Sequence, residues 1–436
     1  MPDLVYPSDI YTILLKEWDK PIYDKEEIPS LPKKEVFKKL LDVIYHASFL
    51  TEEQRRVWFR IVYVSKDEIK KTAINRFRNI RVVEFNQSRD FTIGELVKLA
   101  PAADPIQVLI GVYHSKSSKE LKIWGLIETG TTFWELTRYE SSSGSAPPTA
   151  FTLSSKKAGQ IIFSRGGFIF LRLDQGKIEK PSESIFSEGP IANFLKKGKG
   201  HFIEEFKKKR ENKNVPVSND DYNGFHYIQF IEIILNRIRE KFHGGTLIII
   251  PEKMNPHDTR LKDRIVIKYP CNFNALNPLI ERVETEWYHD YVIENVKKQQ
   301  KILSEDVTKC IDAMKKQQTA QRRLIETANF ISSLSAVDGA VVITENLQLL
   351  GFGAEIIAIS PSLNKVKVIT NFKNNTGEYR NIELFGTRHR SAFRFCSSFE
   401  NAIAAIVSQD GGIKLTKRVG SNVLFWPNIS SPYLGI

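Results

Sequence analysis

Cysteine is scarce in this chain: three residues in 436, Cys271, Cys310 and Cys396, all far apart. There is no CxxC pair and no His/Cys spacing of the zinc-binding kind, which argues against a disulfide scaffold or a structural zinc and predicts a reducing compartment. Long apolar runs are missing too. Runs such as 247–250 and 233–235 fall far short of the ~20 residues that cross a bilayer, so no membrane span is expected. The opening Met1-Pro2-Asp3-Leu4 has neither a basic nor an apolar leader segment, which predicts no secretory signal and a cytoplasmic location. The eight histidines form no Ser/His/Asp or Cys/His pattern, so a hydrolase of either kind is not expected.

What is present is an ordinary globular composition, 42% hydrophobic and 26% charged, long enough for two or three domains. The net charge of +12, from 63 basic and 51 acidic residues, favours polyanionic partners. Part of it sits in Lys196-Lys197-Gly198-Lys199 and Lys207-Lys208-Lys209-Arg210. Aromatic residues suited to base stacking are sparse among these lysines. They read as a solvated, helix-flanking surface rather than a nucleic-acid interface.

Residues 1–100 read as mostly helical. Val36, Phe37, Leu40, Leu41 and Ile44 recur at helical spacing, and Thr51-Glu52-Glu53 looks like a cap opening a second helix through Val57, Trp58 and Ile61. Thr92 is a candidate cap for a third. From about 104 to 190 the period falls to two, predicting hairpins from 108–113 with 121–127 and from 160–164 with 168–173. Trp124, Phe168 and Phe170 read as core. Residues 190–220 look like a lysine-rich linker or surface segment.

A strong helix follows on Ile231, Ile234, Leu235, Ile238 and Phe242, stopping at His243-Gly244-Gly245. The apolar run 246–250 then predicts a strand buried on both faces. Between 281 and 334 there is no Gly or Pro, which predicts one or two long helices. Beyond them come a hairpin from 340–344 with 347–350, a strand at 366–370, and a helix at 387–399. A second hairpin joins 403–408 to 413–416, with 422–426 as a possible edge. The fold class is α/β: a C-terminal mixed sheet with flanking helices (223–436, interrupted by a helical insertion at about 281–334), an N-terminal α+β region (1–195) of sensor-like character, and a basic linker (196–222).

Two motifs carry chemistry. Gly386-Thr387-Arg388-His389-Arg390-Ser391 reads as a helix opening with a Thr able to cap and three cationic or donor side chains on its first turn. The free amides and positive dipole end of a helix attract anions, and guanidiniums bind phosphate oxygens in pairs. Cations alone are disfavoured there, so a phosphate-type ligand is expected. Upstream, Asp338-Gly339-Ala340 stands at the mouth of an apolar strand. The Gly permits close backbone approach, and the Asp suits a metal ion or a hydroxyl.

This ordered pair, Asp338-Gly339-Ala340 then Gly386-Thr387-Arg388-His389-Arg390-Ser391-Ala392, closely resembles the two signatures of the diadenylate cyclase family. The resemblance is strongest over about 335–420, is weaker from about 223, and does not extend to residues 1–222. It points to a divergent, sensor-fused branch. It implies condensation of two ATP into cyclic di-AMP with release of two pyrophosphates, assisted by Mg²⁺ or Mn²⁺, across a head-to-head homodimer. It also implies roles. Asp338 would meet the metal or the attacking 3′-hydroxyl, with Asp410 as a weaker metal ligand. Gly339 and Ala340 would offer backbone to the nucleotide. Gly386, Thr387, Arg388, His389, Arg390 and Ser391 would hold the triphosphate, while 350–356 would face the adenine. A non-catalytic nucleotide sensor of the same fold is the alternative.

Overall fold

The computed structural model describes residues 5–6, 9–19, 28–69, 81–104, 108–115, 120–128, 149–155, 158–165, 168–174, 176–179, 185–186, 188–210, 220–241, 243–298, 303–360, 362–371, 375–408, 412–427 and 429. They form two compact units, Met1–Pro181 and Ser182–Ile436.

The first unit contains helices α1 (Ile10–Trp18), α2 (Lys34–Ala47) and α3 (Ile93–Leu99). Its strands are β1 (Thr51–Glu52), β2 (Arg55–Arg56), β3 (Phe59–Tyr63), β4 (Arg81–Asp90), β5 (Val108–His114), β6 (Leu121–Glu128), β7 (Phe151–Ser155), β8 (Gln160–Arg165), β9 (Phe168–Asp174) and β10 (Lys177–Glu179). Among the described residues, eight strands pair in the order β10-β9-β8-β7-β3-β5-β6-β4. Both expected hairpins form, as β5–β6 and β8–β9. Thr92 caps α3, its side chain accepting from the Glu95 amide. The helix expected to open at Thr51 does not form. Glu53 and Gln54 take left-handed backbone (φ 47° and 64°), turning β1 back on β2, and Ile61 joins the sheet through β3. Trp124 and Phe170 are buried, as expected.

The second unit contains α4 (Gly189–Arg210), α5 (Asp220–Glu240), α6 (Thr259–Lys262), α7 (Leu276–Lys297), α8 (Ser304–Ser333) and α9 (Thr387–Ser398). Its strands are β11 (Gly245–Ile250), β12 (Ile265–Asn274), β13 (Ala340–Thr344), β14 (Gln348–Ile356), β15 (Lys365–Asn371), β16 (Thr376–Asn381), β17 (Ile403–Val407), β18 (Ile413–Val419) and β19 (Asn422–Trp426). Among the described residues nine strands pair in the order β12-β14-β13-β11-β17-β18-β19-β15-β16, confirming a mixed α/β sheet. β11 is parallel to β13 and antiparallel to β17, and every residue of it is buried. Leu247 and Ile249 join one core with α4, α5, α7 and α8, while Ile248 and Ile250 join another with α6 and α9. The 281–334 stretch is the packed pair α7 and α8. β19 is interior, held between β18 and β15, where the sequence pattern placed an edge.

Residues 189–210 depart most from expectation. The lysine-rich stretch read as a linker is the helix α4. Ile191, Leu195, Phe202 and Phe206 run down one side of it into the core, leaving lysines on the other. Residues 211–219 lie outside the described residues. Gly198 brings α4 onto the turn after β13: a Cβ there would overlap the Glu345 carbonyl oxygen and the Tyr227 hydroxyl, which are themselves hydrogen-bonded.

Gly198→Ala therefore lowers stability by about 1–3 kcal/mol through overpacking. An open helical site would instead gain up to ~1 kcal/mol from the same change. Chemical denaturation reads the sign. Cys396 is buried on the sheet-facing side of α9, and burial pushes its thiol up to about 12. It stays protonated at pH 8, so a thiol reagent reacts with it only on unfolding.

Candidate functional site

The direction of α9 decides whether the two motifs meet. Its C-terminal end is tied down: the Ser397 carbonyl accepts from Arg418 (2.8 Å) and the Ser398 carbonyl from Arg264 (2.9 Å). Residues 399–402 then lead directly into β17. A connection this short makes α9 run back against β17, so its N-terminal tip lies where β17 ends. Register fixes that end. Val407 pairs with Gly245 and Ile406 with Thr246, and Thr246 is also the partner of Ala340. Ala392, in the half of α9 nearer the tip, packs in one core with Ala340 at the head of β13. The tip of α9 and the start of β13 therefore share one end of the sheet. Only β11 separates β13 from β17, a span of about 10 Å at ~4.8 Å per strand.

The tip residues divide by face. Gly386, not Thr387, is the N-cap, and no side chain caps the helix. Thr387 is the first helical residue and is exposed, so the expected Thr cap is not made. The first amides have no intrahelical acceptor and remain open to an anion. Arg388 is exposed and has no hydrogen bond or ion pair among the described residues. It shares its flank with Ala392 and Phe395, which pack in one core with Ala340 and Ala354, so Arg388 is on the β13–β14 side. Arg390 is on the opposite flank, paired with Glu383, to which Arg394 also approaches at 3.8 Å. His389 turns inward onto Phe385, Phe393 and Phe425, with ring centroids 6.1, 6.3 and 5.8 Å away. Ser391 is half-buried. Of the three basic tip residues, Arg388 alone has no other task in this geometry.

At the other motif, Asp338 is exposed and unpaired among the described residues. Gly339 is more than a turn residue: its φ is 121°, and a Cβ would lie 2.5 Å from the Gly353 carbonyl carbon. Only glycine lets β13 begin this close to β14. Ala340 is buried at the head of β13. Within the expected adenine-facing stretch, Phe352 stacks under Tyr269 of β12 (4.9 Å, 18°), and Tyr269 is 52% exposed. A Cβ on Gly353 would touch both that ring and Val337, which places this flat apolar shelf next to Asp338. Tyr269 and Glu383 were not anticipated. An aromatic at an outward position of the edge strand β12 was the only signal for Tyr269.

Asp410 lies outside the described residues. Among the described residues no three His, Cys, Asp or Glu groups gather to form a metal cage. The one placed carboxylate, Asp338, fits a Mg²⁺-type ion that takes its other oxygens from substrate phosphates and water.

Replacing Arg388 by Ala leaves unfolding free energy within about 0.5 kcal/mol of wild type, since the side chain is exposed and has no hydrogen bond or ion pair among the described residues. Arg390→Ala costs up to about 1 kcal/mol through the half-exposed Glu383 pair. Urea denaturation of the two variants checks the division of the tip.

Residues 26–128 match a family model described as "Probable sensor domain DACNV", a stretch that lies within the first unit and ends with β6. No curated protein matches the chain. Among the described residues no helix is long and apolar enough to cross a membrane.

Proposed function

We propose that the second unit is a nucleotide-binding domain acting as a diadenylate cyclase, under a sensor-like first unit, in a cytoplasmic protein. The observation that carries this reading is that β13, which Asp338 precedes, and β17, which α9 covers with its open, Arg388-bearing tip, are two strands apart in one sheet, with Ala392 of α9 and Ala340 of β13 in one core. The sensor-domain match supports it, because that domain is found with diadenylate cyclases.

In this reading the amides of Thr387 and Arg388 and the Arg388 guanidinium hold the phosphate chain of ATP, and the Tyr269–Phe352 shelf flanks the base. Each 3′-oxygen bonds to the α-phosphorus of the other ATP, the bond from that phosphorus to the pyrophosphate oxygen breaks, and the 3′-hydroxyl proton is lost to solvent. Preorganised positive charge at the leaving pyrophosphate is the main catalytic resource. A divalent Mg²⁺ or Mn²⁺ held at Asp338 would neutralise phosphate charge. One site holds only half of the reactants, so two copies of this end must face each other in a two-fold dimer.

The second reading is a nucleotide sensor without chemistry. It is favoured by the engagement of Arg390 and His389 away from the tip and by Gln409, which stands where many cyclases carry an acidic residue.

Purified protein incubated with ATP and Mn²⁺ or Mg²⁺ yields cyclic di-AMP by mass spectrometry if the first reading holds. Asp338→Asn lowers the rate at least about a hundredfold, roughly 2.7 kcal/mol of barrier, with unfolding unchanged. A folded sample that binds ATP and yields no cyclic product with either metal leaves only the sensor.

A further inference from the structure

At the opposite end of the same sheet is a cavity of about 520 Å³. Its floor is formed by Pro251 and Glu345, the residues that follow β11 and β13. Its walls are α4, through Phe194 and Lys197, and the β18 region through Lys417. Open α/β sheets take ligands outside the carboxyl ends of their strands, and the parallel pair β11 and β13 both end at this cavity.

The charges in this cavity are unbalanced. Arg260, Lys197, Lys417 and Arg418 face Glu345 and Glu400, and Arg260 is already paired with Asp258 at 2.7 Å. Lys417 is the telling residue. It is 8% exposed, its ammonium rests over the Phe194 ring (4.8 Å), and it donates to the Glu400 backbone carbonyl (2.9 Å). No carboxylate pairs with it among the described residues, so an ammonium with three donors has one protein acceptor. Burial lowers its proton affinity. A buried, under-satisfied cation is costly unless an anion completes it. Burial likewise pushes the Glu345 carboxyl up.

We propose that this cavity is a ligand site for a small organic phosphate of mononucleotide size. The phosphate meets Lys417 and Lys197, and the apolar body lies against Phe194 and Pro251. The site is separate from the Arg388 end, which lies beyond the length of the strands. Because α4 forms one wall, occupancy fixes that helix against the sheet.

The test uses the full chain and AMP as probe, by isothermal titration calorimetry, with adenosine and inorganic phosphate as controls. In the Arg388→Ala background, where the nucleotide site at the other end of the sheet is weakened, AMP still binds saturably, and adenosine does not. Lys417→Met weakens AMP at least about tenfold, or 1.4 kcal/mol. Lys197→Ala, at an exposed position that does not threaten folding, weakens it severalfold. Lys417→Met also keeps or raises the melting temperature, whereas a purely structural lysine would lower it. Four outcomes overturn the proposal: no saturable AMP heat up to about 10 mM, equal affinity in both lysine variants, loss of binding in Arg388→Ala, or binding of inorganic phosphate but not AMP. Failure of the cyclase assay leaves these heats unaffected.

Discussion

The second unit depends on one constraint: β11 is apolar on both faces and hydrogen-bonded along both edges. Burying Leu247, Ile248, Ile249 and Ile250 is worth about 1.5–3 kcal/mol each, and only helices on both sides of the sheet can collect it. The requirement recruits α4 and α5 to one face and α9 to the other. Once α9 must cover β17 and enter it through four residues, its polarity is no longer free. The uncapped tip is delivered to the end where β13 starts, and the carboxyl ends of β11 and β13 are left to shape the opposite cavity.

Glycine then decides how closely the layers approach. Gly339 lets β13 begin against β14, and Gly198 lets α4 rest on the Glu345 carbonyl. Both positions adjoin the candidate sites, one at each end of β13. Close backbone contact there makes the geometry of both ends hard to alter independently, because protein interiors are nearly incompressible.

Much of this was legible in the sequence, for identifiable reasons. The 231–238 periodicity, the uninterrupted apolar run of β11 and the glycine-free 281–334 stretch each signal one structure, and each forms as expected. Residues 51–61 were misread because Glu, Gln and Arg favour helices, and nothing local announces left-handed backbone at Glu53 and Gln54. α4 was hidden by composition: its lysines drew attention from Ile191, Leu195, Phe202 and Phe206, whose spacing was there to be found. The motif residues were recognisable as a set, but their faces were not. Phe425, which draws His389 inward, is far along the chain and only the fold brings it near; Glu383, which holds Arg390, is close in sequence but across the turn before the helix.

α4 is the first helix of the second unit, beginning at Gly189 after a first unit that ends at Pro181. Its Gly198 bears on Glu345, at the far end of a five-residue strand whose near end is Asp338-Gly339. A strand of that length is a stiff strut of about 16 Å, since its backbone is locked to neighbours on both sides. α4 therefore has no room to move closer to the sheet without displacing the Glu345 carbonyl at the end of β13. The lysine-studded segment that looked like a tether is a packed wall of the domain.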